Sequence, residues 1–312
     1  MAIAFITGIL GQDGTYLSGE LAARGYDVHG LVLPGMDAPT DDGRTYHAVD
    51  LTDVDGILGL VRDLRPERIF HLAGVSSVAH SWTDPVGTMT VNASGSIALL
   101  EAAQDISDAG VDVSFVQAAS AEIFGQAAHA PQDESTPLHP VNPYGVSKAA
   151  AHLAVGTYRA RGLRASSLIL YNHESPLRPP TFVTRKITST VARIARGEAS
   201  ELRLGNLDAR RDWGWAPDYC HAMVLAAEHS VPGDYVIATG ESHSVADLVA
   251  AAFAHVGISD WERYVVVDPE FLRPVDPADL RGDATRAREV LGWRPTVTFA
   301  EMVARMVAAD LA

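Results

Sequence analysis

The chain opens with an apolar run, AIAFIT (2–7), that passes directly into GILGQDG (8–14) and then into the helical pattern TYLSGELAARG. This junction limits the fold more than any other stretch does. Gly8, Gly11 and Gly14 sit between a strand and a helix. Glycine lets the backbone turn tightly and approach a ligand closely, and a helix N-terminus offers free N–H donors at the positive end of a dipole. Strand, glycine turn and helix in this order predict a dinucleotide-binding βαβ unit. The spacing is G-x-x-G-x-x-G, and for the glycines taken alone an ordinary tight turn is the alternative.

The alternation continues. DVHGLV (27–32), RIFHLA (68–73), DVSFVQA (112–118) and ASSLILY (165–171) read as short buried strands, with the helical patterns TMTVNASGSIALLEAAQ and PYGVSKAAAHLAVGTYRARG between them. Such a series predicts a parallel sheet covered by helices. From residue 172 the texture changes. Prolines gather in NHESPLRPPT, a helix is expected at about 183–196, and ATRAREVLGW and FAEMVARMVAADLA close the chain as amphipathic helices. The expectation is an α/β fold: a Rossmann-like doubly wound parallel sheet that binds NAD(P) over 1–171, and a smaller C-terminal α/β substrate-binding lobe over 172–312, with segments crossing back to the first domain.

Composition bounds the partners. A net charge of −15 argues against nucleic acid or an anionic membrane surface, yet leaves room for a small phosphorylated ligand held by local cations. The single cysteine, Cys220, makes no internal disulfide, which fits a cytoplasmic protein. No apolar run is long enough to span a bilayer, and MAIAFITGIL lacks the basic start of a signal peptide. The histidines are scattered without paired ligand spacing, so no metal is expected. His173 and Glu174 are expected to orient their loop.

Of 24 basic residues only Lys148 and Lys186 are lysines. Tyr144 and Lys148 are four apart on an expected helix and share one face. Removing hydride from an alcohol needs a base for the hydroxyl proton, and an ammonium near a tyrosine favours its phenolate. Lysine also reaches a ribose hydroxyl as a compact charge, which arginine's planar fork does not. Ser120 and Glu122, in QAASAEIFG, leave the fourth core strand at the edge where ligands bind in such sheets. Ser120 can hydrogen-bond the reacting hydroxyl. Glu122 has no task in a simple alcohol oxidation, but a carboxylate can remove the acidic C–H beside a newly made ketone; a plain ion pair is the alternative. The expected dinucleotide contacts are Gly8, Gly11, Gln12, Asp13 and Gly14 at the turn, Asp50 and Leu51 in HAVDLTD, Leu72, Ala73 and Gly74 in HLAG, and Tyr144 and Lys148.

The stretches ITGILGQDGTYL, QAASAEIFG, NPYGVSK, YNHESPLR, FVTRKIT and LGNLDARRDWGWAPDY resemble the extended short-chain dehydrogenase/reductase family that acts on nucleotide sugars, and within it the GDP-mannose 4,6-dehydratases. The resemblance implies a redox-neutral cycle. NADP takes hydride from C4 of the mannose with Tyr144 as base and Ser120 and Lys148 in support. Glu122 takes the C5 proton, water leaves from C6, and hydride returns to C6. It also implies that Asn172, Lys186, Arg211 and Arg273 contact the nucleotide sugar. The chain departs from the family pattern at four places. Ala121 replaces a hydroxyl or acidic residue. Leu33 and Pro34 stand where an arginine pair would hold the 2′-phosphate of NADP, which leaves NAD as an alternative. The insertion that follows is short, which favours a homodimer over a tetramer. The residues after Arg273 differ as well. A reductase, epimerase or decarboxylase on a related nucleotide sugar, using the same Ser-Tyr-Lys set, is the other reading.

Overall fold

The computed structural model describes residues 1–271 and 279–312. The first half supplies six parallel strands, β1 (Ile3–Thr7), β2 (Asp27–Val32), β3 (Thr45–Ala48), β4 (Arg68–His71), β5 (Ser114–Ser120) and β6 (Arg164–Leu170), ordered β6-β5-β4-β1-β2-β3 across the sheet. Between them run α1 (Gln12–Ala23), α2 (Val54–Leu64), α3 (Val78–Thr83), α4 (Pro85–Met89), α5 (Gly95–Asp108) and α6 (Pro143–Ala160). The central strands are nearly continuous apolar runs because helices cover both faces. Leu17 and Leu21 of α1 bury on one face; Ile57 and Val61 of α2, Leu99 and Ile106 of α5 and Val155 of α6 bury on the other. The strand order reverses at β1, which opens a crevice between the C-terminal ends of β1 and β4.

The second half builds the lobe from β7 (Asn172–Glu174), α7 (Val183–Ala195), β8 (Leu202–Leu204), β9 (Arg210–Arg211) and β10 (Trp213–Trp215). Next come α8 (Ala216–Glu228) and β11 (Asp234–Ile237), which return to the large sheet: β11 pairs with β6 and α8 packs on α1. The chain then re-enters the lobe with β12 (His243–Ser244), α9 (Val245–His255), β13 (Val265–Val267), β14 (Asp279–Leu280) and α10 (Phe299–Leu311). Trp213, Ile187 and Val191 of α7, Phe253 of α9 and Met306 of α10 form the lobe's own core. Both α9 and α10 begin with a capping box, Ser244 with Asp247 and Thr298 with Glu301.

β2 spans the residues expected of it, whereas β3 has no counterpart among the expected strands. Its TYHA sequence is short and only half-buried, so it carries little apolar signal. The helical pattern expected over 88–104 is interrupted by a π-helical turn at Thr90–Ser94, between α4 and α5. Among the described residues no helix is long and apolar enough to cross a membrane, and no three His, Cys, Asp or Glu side chains stand together as metal ligands would.

Candidate active site

Gly8 has φ of 74°, and a Cβ there would lie 2.9 Å from the Ala73 nitrogen; at Gly14 it would lie 2.3 Å from the Gly8 oxygen. The first glycine thus lets the turn lie against the 72–74 loop, and the third seats α1 on the turn. Gly11 caps α1 without a side-chain hydrogen bond, so no side chain competes for the amides of the first turn. The Gln12 and Asp13 side chains are directed to the lobe. Gln12 Nε2 donates to the His173 carbonyl (3.1 Å), Ser175 Oγ donates to Gln12 Oε1 (2.8 Å), and Asp13 Oδ2 lies 2.9 Å from His173 Nε2. What these two residues can offer a pyrophosphate is backbone N–H.

His173 Nδ1 sits 2.7 Å from the Tyr171 carbonyl and so must donate there, while Nε2 faces the Asp13 carboxylate. Both nitrogens therefore carry protons. Burial opposes the charge on either partner. The Asp13 carboxylate nonetheless holds His173 above the ordinary histidine value, and His173 and Gln12 hold Asp13 below its own. His173 orients the loop, as expected, through an ion pair that joins β7 to the first turn of α1.

A second histidine fixes the opposite wall. Ser96 Oγ donates to the Asn92 carbonyl (2.6 Å) and so accepts from His71 Nε2 (3.0 Å). His71 Nδ1 then accepts from Thr7 Oγ1 (2.7 Å), which itself accepts from the amides of Leu72 and Ala73 at 3.1 Å. Burial drives His71 down to about 3, so it stays neutral. This chain of hydrogen bonds aligns Leu72, Ala73 and Gly74 with the glycine turn. Further along the sheet edge, Asp50 accepts from the amide and hydroxyl of Thr52, both at 2.8 Å, and these bonds hold its carboxyl below the ordinary range. Leu51 is buried beside it.

The groups expected to react come from two elements. β5 ends at Ser120, whose hydroxyl accepts from the Glu122 amide (3.2 Å) and bears on the phenol of Tyr144. α6 carries Tyr144 and, one turn on, Lys148. Lys148 Nζ donates to the Ala118 carbonyl (2.9 Å) and lies 3.9 Å from where a Cβ on Gly74 would stand. Burial brings this amine down to about 8. Tyr144 is pushed up to about 12, by burial above all. The Ser120 hydroxyl works against that, and the Glu122 carboxylate reinforces it. Among the charged groups that bear on the phenol, Arg178 lowers it, and Lys148 gives one of its three N–H donors to the Ala118 carbonyl. Glu122 Oε2 accepts from Asn142 Nδ2 at 2.8 Å. Ala121, between Ser120 and Glu122, is buried and brings no hydroxyl.

Of the expected sugar-nucleotide residues, Asn172, Lys186 and Arg211 lie in the lobe. Asn172 opens β7 and pairs in register with Trp213. Lys186 projects from α7, its amine 3.3 Å from the centre of the Phe271 ring. Arg211 is buried on β9 and donates to the Arg210 carbonyl at 2.7 Å. Arg273 falls outside the described residues. Arg178 and Asn142 went unnoticed in the sequence. Arg178 stacks on Phe182 (3.8 Å) with its Nε 3.3 Å from Glu174 Oε2, and it bears on Tyr144, Asp13 and His173. Asn142 had a visible signal, an Asn before a helix-opening proline, but that marks a cap and not a partner for Glu122.

A family model described as GDP-mannose 4,6 dehydratase matches residues 5–306. GDP-mannose 4,6 dehydratase 2 of Arabidopsis thaliana is 43% identical over 99% of this chain and 87% of its own. Among solved structures, the UDP-glucose 4-epimerase of Thermotoga maritima with UDP-glucose superposes with a TM-score of 0.87 at 26% identity, covering 99% of this chain and 98% of that one. RMD from Pseudomonas aeruginosa complexed with NADPH gives 0.84 at 26% identity, covering 100% and 99%.

Proposed function

The chain belongs to the GDP-mannose 4,6-dehydratase family, with an NAD(P)-binding Rossmann fold, and from that premise we propose that it converts GDP-mannose to GDP-4-keto-6-deoxymannose and water. The dinucleotide, when bound, supplies a hydride acceptor at C4 and a hydride donor at C6. The turn at Gly8 to Gly14 fits that group, since the space a Cβ would fill at Gly8 is what brings the backbone against Ala73. Tyr144, which Ser120 favours as the phenolate, takes the proton of the C4 hydroxyl. Lys148 stands by Gly74 as the cation for a ribose hydroxyl. Glu122 takes the C5 proton once C4 is a ketone. The departing C6 oxygen needs a proton in turn, and with Ala121 buried and apolar this falls to Glu122 or to water. Asn172, Lys186, Arg211 and Arg273 are the groups for the nucleotide sugar, whose diphosphate needs cations in so acidic a protein.

Glu122 carries this reading. Its carboxylate accepts from Asn142, the cap of the helix that bears Tyr144, and a second proton acceptor beside that phenol is what elimination needs and simple oxidation does not. Incubation with GDP-mannose and the oxidised dinucleotide should yield the keto product without net reduced cofactor. Glu122→Gln should stop after C4 oxidation and leave the cofactor reduced. Absence of any keto product from the unaltered protein would overturn the proposal, whereas net consumption of reduced cofactor with a 4-keto sugar would select the reductase reading that Ala121 keeps open.

The resemblance implies NADP. Leu33 and Pro34 follow β2, however, where the arginine pair would stand, so NAD is a competing ligand that parallel titrations would rank. We further propose a cytoplasmic homodimer formed through α5 and α6. These helices are joined by a 2.6 Å bond from Tyr158 to Glu101 and leave Ile97, Val146 and Leu153 exposed. The buried Cys220, its thiol pushed far up by burial, suits a reducing compartment.

A further inference from the structure

Asn142 makes two hydrogen bonds that no other side chain here could make together. Its Oδ1 accepts from the Gly145 amide at 2.8 Å and so caps α6. Its Nδ2 donates to Glu122 Oε2 at 2.8 Å. The orientation of the amide is not ambiguous: a backbone N–H must meet the oxygen, and a carboxylate must meet the nitrogen. Asn142 is buried, with 6% of its surface exposed. Gly145 tightens the same joint, since a Cβ there would lie 2.6 Å from the Glu122 carbonyl and 3.1 Å from Pro140. The first turn of α6 therefore rests directly on the 121–123 turn that bears Glu122.

We propose that Asn142 is a positioning residue for the elimination step: it couples the helix that carries Tyr144 to the carboxylate of Glu122, so that the base for C5 is held in a fixed relation to the base for the C4 hydroxyl. This rests on the dehydratase reading above. A plain helix cap needs only the oxygen. Serine and aspartate cap a helix about as well as asparagine does, yet aspartate has no donor for a carboxylate, and serine has one short-armed oxygen where asparagine has two separate atoms. The second hydrogen bond is what the asparagine adds, and it goes to the one group that distinguishes elimination from simple oxidation. The charged groups that bear on Tyr144 at this joint include Glu122 itself, Arg178 from the lobe and Asp13 at the glycine turn.

Two variants separate the roles. Asn142→Ser keeps the cap, but its single, shorter oxygen cannot serve the Gly145 amide and the Glu122 carboxylate together. Its melting temperature and the rate at which reduced cofactor first appears should stay close to those of the unaltered protein. Formation of the 4-keto-6-deoxy product should fall about 10- to 100-fold, the usual cost of a reacting group displaced by about an ångström. Reduced cofactor should therefore accumulate where it did not before. Asn142→Asp also keeps the cap but sets a second carboxylate against Glu122, and the two then share a proton. Product formation should revive as pH rises, and a carboxyl-carbon NMR titration of labelled glutamate should show Glu122 ionising later than in the unaltered protein. If both steps slow together, or if neither changes, Asn142 is a cap and nothing more. The unaltered protein is the control for the reading beneath: if it makes no keto product, that reading fails, while the NMR titration still decides whether Asn142 governs Glu122.

Discussion

Lys148 shows what a reactive residue costs the fold. Its side chain is buried and its amine is brought from 10.5 to about 8. The folded chain thus binds this proton less tightly than the unfolded one. Below about pH 8 the full penalty is present, on the order of 3 kcal/mol; between there and about 10.5 the folded state releases its proton while the unfolded state keeps its own, and stability recovers. Lys148→Met should therefore stabilise the protein at neutral pH by about 1–3 kcal/mol, the lower end allowing for the lost bond to Ala118. The gain should fade towards pH 10.5, as urea unfolding at the two pH values would show, while C4 oxidation is lost. No gain at neutral pH would mean that the site compensates the ammonium in full. At this scale the sequence was readable wherever partners lie close along the chain. Tyr144 with Lys148, and Ser120 with Glu122, are local spacings. The pairing of Asp13 with His173 spans 160 residues and that of Asn142 with Glu122 spans 20, and neither leaves a local pattern to read.

At the scale of elements, the glycine turn meets the strictest demand. Gly8→Ala must adopt a left-handed φ, costing about 1–2 kcal/mol, and must also push the Ala73 backbone away from 2.9 Å. Dinucleotide affinity should drop at least about tenfold, measured by calorimetric titration alongside a lower melting temperature. Unchanged affinity would show that the turn does not cradle the pyrophosphate. The elements that hydrophobic patterning captured, β2 and α6 among them, are those whose apolar spacing alone decides them. The π-helical turn escaped because polar chemistry makes it. Asn92 exchanges hydrogen bonds with the Val75 backbone (2.8 and 2.9 Å) and donates to Ser147 (2.9 Å), pulling the helix out of register.

For the whole molecule, the alternation of strands and helices implied a parallel sheet, and the sheet is parallel. Which strands are neighbours was not readable, because the order is set by where crossovers pack and not by any one segment. β11 and α8 illustrate this: they follow the first lobe strands in sequence yet complete the large sheet and the cover over α1. The proposed dimer belongs to this scale as well. Leu153→Glu, on a residue 59% exposed, should leave the fold intact and halve the mass seen by light scattering; a mass unchanged from that of the unaltered protein would exclude this face as the contact. The central claim is that one hydride leaves C4 and returns to C6 of the same sugar while Glu122 handles the proton between them. The most direct test supplies GDP-mannose deuterated at C4 and locates the label in the product. The account predicts deuterium on C6 of a 4-keto-6-deoxy sugar, with no net reduced cofactor. Label retained at C4 of an epimer, or no keto product at all, would contradict it.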